Sequence, residues 1–211
     1  DITLKSNDKG RYQWIIGMFG MLLHSNQFAE TSYYTRNFST PTTYKNPTTG
    51  YAIYHQSSYN IWIGLSATAG LRFDYEHAKT SYNQEKVTLT TGATAHVRDF
   101  ISSASFRQFT PKFTLQYLTN KDNLYYASVT RGYKPGGFNT IFKTDAERTY
   151  APEYSWNYEV GTRLKFLNGR MTAEADLFYI DWRHMQTTYT VPGVGNVIAN
   201  AGHTDSKGFE L

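Results

Sequence analysis

The chain has no cysteine among its 211 residues. That absence excludes a disulfide scaffold, thiolate chemistry and any cysteine-ligated metal. It also has no run approaching 18 consecutive apolar residues, and its mean hydropathy is −0.54 with 40 % hydrophobic residues. No helix-spanning membrane protein fits those values. They do not argue against a transmembrane β-barrel, in which half of each strand is polar. Charge of one sign is scarce too: 21 Lys and Arg against 17 Asp and Glu leave a formal net charge of +4. The basic residues are spread over the chain, so nucleic acid is not an expected partner. There is no P-loop and no nucleophile elbow, and no motif calls for a cofactor. The chain opens at Asp1 without an initiator Met or an apolar leader and stops inside what reads as a strand. It is therefore expected to be a piece of a longer protein.

What is abundant is aromatic. Phe, Trp and Tyr make up 17 % of the chain, 18 of them Tyr, a side chain that favours boundaries with one wet and one dry side. The pattern is clearest at 154–182. Trp156, Tyr158, Val160, Thr162, Leu164 and Phe166 alternate with Asn157, Glu159, Gly161, Arg163 and Lys165. A period of two sorts side chains onto opposite faces of a strand and of no helix. Asn168-Gly169 supplies the positive-φ residues of a tight hairpin turn. The alternation then resumes, with Met171, Ala173, Ala175, Leu177 and Tyr179 against Thr172, Glu174 and Asp176. Each arm keeps one uncharged face over about ten residues, the length a tilted strand needs to cross a bilayer core. Strands of a soluble sandwich are about half as long.

Further strands are expected at 2–6, from Tyr12 to about His24, at 51–59, at 65–77, around 109–117 and at 124–133. A last one enters through Val197, Ala199 and Ala201. The pattern of 51–59 does not assign its facing. Short turns are expected at Asn7–Gly10, Asn60–Gly64, Thr119–Asn123 and Asn168-Gly169, and a medium-length connection turns at Pro192–Gly195. Long loops are expected at 25–50, 78–105 and 134–153, with Val87–Thr91 extending a hairpin inside the second. Pro111, which lacks an amide donor, is placed near a strand end. Short and long connections alternate, so antiparallel strands put the short turns at one end and the long loops at the other. Aromatics collect near both ends: Tyr12, Trp14, Tyr117 and Phe166 toward the short turns, Phe73, Tyr75, Tyr154, Trp156, Tyr179 and Trp182 toward the loops. The fold class read from this is all-β, a partial antiparallel up-and-down transmembrane β-barrel, with about nine strands of a larger barrel present.

Catalytic and metal signals are weak beside this pattern. Glu174 and Asp176 share a face, as general acid–base pairs do, but they lie opposite Arg163 and Lys165, and ion pairing across the hairpin is the expected use. The six histidines (24, 55, 77, 96, 184, 203) lack metal-ligand spacing. Ser57 and His55 share one strand face without a third group to complete a hydrolytic site.

Several stretches resemble the barrel domain of TonB-dependent outer-membrane receptors. The fullest is Leu124 to Asn139, LYYASVTRGYKPGGFN. Tyr150-Ala151-Pro152-Glu153 with Tyr158-Glu159-Val160-Gly161, Leu177 to Trp182, Asn200-Ala201-Gly202 with Gly208-Phe209-Glu210, and Ala69 to Tyr75 follow the same family's order. The resemblance implies a Gram-negative outer-membrane barrel of about 22 strands with a plugged lumen. It also implies a non-enzymatic receptor that binds a scarce ligand (siderophore-iron, haem, cobalamin or a glycan) at extracellular loops and imports it with TonB energy coupling. Residues 1–211 are then a partial barrel domain lacking the plug, the energy-coupling box and the terminal strands. The implied partners are outer-membrane lipid, the plug of the same full-length chain, the TonB complex and a small-molecule ligand. Arg131, Tyr133, Lys134, Phe138 and Asn139, where a strand leaves the rim, are the candidate ligand-side residues. The alternative is a passive porin or another outer-membrane barrel protein, including a barrel enzyme.

Overall fold

A computed structural model describes every residue except 8, 9, 120–122, 193 and 194. In chain order the strands are β1 (Ile2–Lys5), β2 (Tyr12–Tyr33), β3 (Phe38–Trp62), β4 (Leu65–Thr88), β5 (Thr94–Leu118), β6 (Leu124–Lys134), β7 (Gly137–Phe138), β8 (Thr149–Tyr150), β9 (Glu153–Phe166), β10 (Met171–Arg183), β11 (Gln186–Val191), β12 (Gly195–Asn200) and β13 (His203–Glu210). Nine of them form one antiparallel sheet in the order β1-β2-β3-β4-β5-β6-β9-β10-β13. The pairs β7-β8 and β11-β12 belong to two excursions inserted after β6 and after β10.

Two expected long loops are strands instead. Residues 25–50 continue β2 and β3, paired position by position from Tyr12↔Tyr59 to Tyr33↔Phe38 and closed by a short 3-10 turn at Tyr34–Arg36 with Asn37 at φ 56°. Residues 78–105 likewise extend β4 and β5 up to Val87↔Thr94. Sequence contrast misses this because the extensions are rich in Thr, Ser and Asn and carry only scattered aromatics, and ladder hydrogen bonds need no apolar side chain. Prolines survive there because Pro41 and Pro47 fall where β3 has no partner on β4. Pro111 sits well inside β5 rather than near its end. It lies one residue beyond the β5-β6 ladder, which starts at Lys112↔Thr130, so no bond on that side is lost. The third expected loop, 134–153, is an excursion with its own β7, β8 and a 3-10 turn at Asp145–Arg148. The turns expected at 7–10, 119–123 and 192–195 lie partly outside the described residues.

Register sorts the sheet into two faces. One lateral row reads Tyr12, Tyr59, Ala67, Leu115, Ala127, Val160, Leu177 and Phe209; another reads Met18, Ile53, Phe73 and Phe109. This also settles 51–59: Tyr51, Ile53, His55, Ser57 and Tyr59 share that apolar side. Val160 is 51 %, Leu177 59 % and Phe209 70 % exposed, so the apolar face is not the inside of a compact soluble core. The opposite face reads Gln13, Ser58, Thr68, Thr114, Ser128, Glu159, Phe178 and Gly208. The first excursion folds over this second face, with Phe142 against Phe100, which marks it as the lumen side.

Large aromatics on the lumen side lie flat on a neighbouring strand. A Cβ at Gly17 would stand 2.4 Å from the Tyr54 ring, at Gly161 2.6 Å from Tyr126, and at Gly208 2.8 Å from Phe178. Glycine opposite each ring lets it hug the wall. The Tyr126 hydroxyl then donates to Glu159 Oε1 at 2.5 Å. As expected, Arg163 Nε pairs with Glu174 Oε1 across β9-β10.

Candidate functional site at the mouth of the sheet

Both excursions leave the sheet at the same end, and a few polar side chains tie them together. Asn139, 5 % exposed, donates from Nδ2 to the carbonyls of Glu147 and Ile198, both at 2.8 Å, and accepts from the Ile198 amide at 2.9 Å. Asn200 does the reverse: its Nδ2 donates to Ala151 O and His184 O, and its Oδ1 accepts from the Ala151 amide at 2.7 Å. Gln186 Nε2 donates to Pro135 O and Ala151 O. The buried Glu153 carboxylate accepts from the Gln186 amide and lies 3.9 Å from Lys134 Nζ. Within the first excursion, Thr144 and Glu147 form a capping box that starts the 3-10 turn.

The turn presents Arg148 toward an aromatic stack on the lumen face. Tyr44 meets Tyr82 edge-on at 5.3 Å, Tyr82 stacks on Phe100 at 5.1 Å, and Phe100 meets Phe142 at 5.2 Å. Tyr82, Phe100 and Phe142 are buried. Arg148 lies over Phe100 and Phe142 at 5.2 and 5.1 Å, and Arg98 over Phe142 at 4.8 Å. Burial in this stack pushes the Tyr82 phenol above its ordinary range, so the hydroxyl stays protonated at neutral pH. The arrangement offers guanidinium groups, phenols and ring faces, groups that can bind and orient a ligand.

The five candidate residues separate into two groups. Arg131, Tyr133 and Lys134 line the exit of β6. Arg131 donates to Phe109 O at 2.9 Å and lies 4.5 Å over the Tyr154 ring. Tyr133 pairs with Tyr154 and feels the charges of Asp74, Glu76 and Arg72, and Lys134 faces Glu153. Phe138 lies in β7 opposite Thr149, and Asn139 is the buried tie to β12. Sequence reasoning missed Gln186, Asn200, Arg98, Arg148 and the Tyr44–Tyr82–Phe100–Phe142 stack. Tyr44, Tyr82, Phe100 and Phe142 stand singly on separate segments, so no local period signalled the stack.

Arg148 also pairs with Asp145 within its turn, and the other chemical clusters likewise have internal partners. The carboxylate oxygens and imidazole nitrogen of Asp181, His203 and Asp205 lie within 4.8 Å of one another, but Arg183 already grips Asp181 with Nε and Nη2 at 2.8–3.1 Å. On the apolar face His55 Nε2 meets Ser57 Oγ at 2.8 Å, and the Tyr12 hydroxyl meets the same Oγ at 2.9 Å. Among the described residues no carboxylate bonds His55, so these groups satisfy one another where water is scarce.

Residues 2–211 match the family described as TonB dependent receptor-like, beta-barrel. The "Pesticin receptor" of Yersinia pestis is 27 % identical over 161 residues, 76 % of this chain and 22 % of that protein. The "Metal-pseudopaline receptor CntO" of Pseudomonas aeruginosa is 27 % identical over 150 residues, 71 % of this chain and 19 % of that protein. The chain thus spans about a fifth of the length of the curated relatives it matches. Its fold resembles the ferric yersiniabactin uptake receptor FyuA from Yersinia pestis, with a TM-score of 0.74 and 21 % identity over 98 % of this chain and 30 % of that one. A nine-stranded antiparallel sheet with one apolar and one polar face, matched to the family along nearly its whole length, identifies the chain as a member of the TonB-dependent receptors and as part of their outer-membrane β-barrel.

Proposed function

We propose that the full-length protein is an active-transport receptor that captures a scarce metal chelate of the siderophore type at its extracellular mouth. Import past a plug in the lumen is then powered by the TonB complex. The observation that carries this reading is the braced mouth: two excursions tied through Asn139 and Asn200, holding Arg148 against a buried aromatic stack beside Arg98. Anionic chelates with flat aromatic groups suit guanidinium donors and ring faces. Relatives named as receptors for metal-pseudopaline and for ferric yersiniabactin support the same class. In this reading Arg131, Tyr133 and Lys134 meet the ligand at the rim, while Phe138 and Asn139 shape the excursion around it. The lumen-side pair Arg72–Asp74, with Nη2 and Oδ1 at 2.7 Å, and Lys112 face the plug.

The test is a fluorescence titration of the purified full-length receptor with phenolate, catecholate and hydroxamate ferric chelates, paired with iron-limited growth. One chelate class is expected to bind, and Arg98→Ala and Arg148→Ala each to weaken it about tenfold. Growth on that chelate is expected to require TonB. Absence of binding by all three classes, or uptake independent of TonB, overturns the reading.

A further inference from the structure

The two acids of the 3-10 turn Asp145–Arg148 do different work. Glu147 Oε2 accepts from the Lys143 and Thr144 amides at 2.8 and 3.2 Å, and so builds the turn. The Asp145 carboxylate bonds no backbone group; its one partner among the described residues is Arg148 Nη2. The turn therefore stands without it. The Arg148 main chain is pinned separately, its carbonyl accepting from the Asn139 amide at 2.8 Å.

The partners of this ion pair are unequally placed. The Arg148 side chain is 26 % exposed and that of Asp145 85 %. The guanidinium is also underused, since Nε is shut from water without a partner and Nη2 alone is bonded among the described residues. A guanidinium presents its N–H donors as a planar fork that meets two oxygens at once. Asp145, three residues back on the same turn, brings one oxygen to one nitrogen. Arg98 is exposed, approaches the Phe142 ring at 4.8 Å as Arg148 does at 5.1 Å, and has no ion partner among the described residues. Two cations thus share one ring, and a single exposed carboxylate touches either.

An exposed ion pair holds weakly, because water screens it and two side chains lose freedom to make it. A carboxylate carried on a flat ring is the better partner here. It arrives with both oxygens in the plane of the fork, and its ring finds the Phe100 and Phe142 edges beside it.

We propose that Asp145 is a specificity-determining residue: an internal carboxylate that holds Arg148 until an aryl carboxylate engages the fork with both oxygens and displaces it. Neutral groups gain too little at Arg148 to do so. The inference rests on the reading of the mouth as the ligand's entry and names the chemical group that this entry admits.

The test titrates the full-length receptor in neutral detergent with para-fluorobenzoate and its uncharged isostere para-fluorobenzamide, read by fluorine NMR. The wild type is expected to bind the benzoate about tenfold more tightly than the benzamide. Asp145→Asn is expected to tighten the benzoate about fivefold, the scale of an exposed ion pair, and to leave the benzamide within about twofold. Arg148→Ala should abolish the preference for benzoate, and adding Asp145→Asn to it should then change nothing. Asp99→Asn removes an acid from neighbouring β5 without freeing Arg148 and should move neither affinity. Heat-modifiable gel mobility reports that each variant is folded. Equal affinity for the two probes, an unchanged Asp145→Asn, or a gain that persists without Arg148 would each overturn the proposal. A ferric chelate that binds while the benzoate ignores Asp145→Asn sinks this inference alone. The expected benzoate pattern without binding of any chelate upholds it and sinks the transport reading.

Discussion

Replacing Asn139 by Ala removes three hydrogen bonds, two that link the two excursions through Ile198 and one to Glu147 within the first, and leaves the Ile198 amide and the Glu147 and Ile198 carbonyls without their side-chain partner. At a net contribution of about 1 kcal/mol per bond, the tie between the excursions weakens by about 2 kcal/mol. The cost is local because the main ladders do not pass through Asn139, so only the excursions open. The assay is hydrogen exchange of the Ile198 amide in the folded receptor, which reports local opening directly. A change of about 2 kcal/mol accelerates that exchange about thirtyfold, while amides in the β9-β10 ladder keep their rates. Asn139→Asp separates the two halves of the tie. It keeps an acceptor for the Ile198 amide but sets carboxylate oxygen against two carbonyls, so exchange should still rise and rise further with deprotonation. If Ile198 exchanges in Asn139→Ala within a factor of about two of the wild type, the excursions are braced by something else and the argument fails.

Three further outcomes follow from the same geometry. Leu177→Arg, on the lipid face, should destabilise the inserted barrel by about 2–4 kcal/mol, and Ser128→Arg, on the lumen face, by much less; chemical unfolding from vesicles compares them, and equal costs would mean the faces are misassigned. Gly161→Val drives a side chain into the Tyr126 ring and should cost about 1–3 kcal/mol, with partial recovery in the Gly161→Val, Tyr126→Ala double variant measured by thermal melting. Arg148→Ala should reduce chelate affinity more than Lys134→Ala, because Arg148 spans two rings at the mouth and Lys134 only approaches Glu153; the titration above reads both.

The hairpin from β9 to β10 was legible almost residue by residue. The expected arms at 154–166 and 171–182 are Glu153–Phe166 and Met171–Arg183, because lipid on one side and water on the other impose the strongest contrast a strand can carry. The Asn168-Gly169 turn adopts the positive φ expected of it, together with Leu167 at 49°. Above the membrane the contrast vanishes. There Thr80 Oγ1 donates to Asn46 Oδ1 at 2.7 Å and Gln84 Nε2 to Thr42 Oγ1 at 3.1 Å, and a Thr- and Asn-rich strand looks like a loop when only hydrophobicity is read. The mouth was legible as a place and not as a mechanism. Asn139 could be named from the strand exit, but its partner Ile198 is 59 residues away, and no local pattern encodes that pairing. The Arg163–Glu174 bridge was foreseeable because turn and register fix which residues face each other; the Arg98–Phe142 contact was not, because an excursion has no register.

The sheet's stability must come from somewhere other than a core. Its only packed cluster of buried side chains among the described residues is Tyr82, Phe100 and Phe142, and that lies in the extension, not between the membrane-crossing strands. A soluble protein exposing Leu71, Phe109, Phe113, Val160 and Leu177 along one face would associate through it. In a bilayer the same face is matched, and the ladders satisfy the backbone groups between paired strands that water no longer reaches. The lumen face then needs polar residues, because a wet interior beside a plug penalises apolar ones. Above the lipid neither condition holds, and side-chain hydrogen bonds with aromatic stacking take over. One ribbon thus meets three surroundings in succession, and depth rather than position in the chain selects its residues. Tyr51 and Tyr75 lie on different strands yet stack at 4.9 Å, because both stand where the apolar surroundings end.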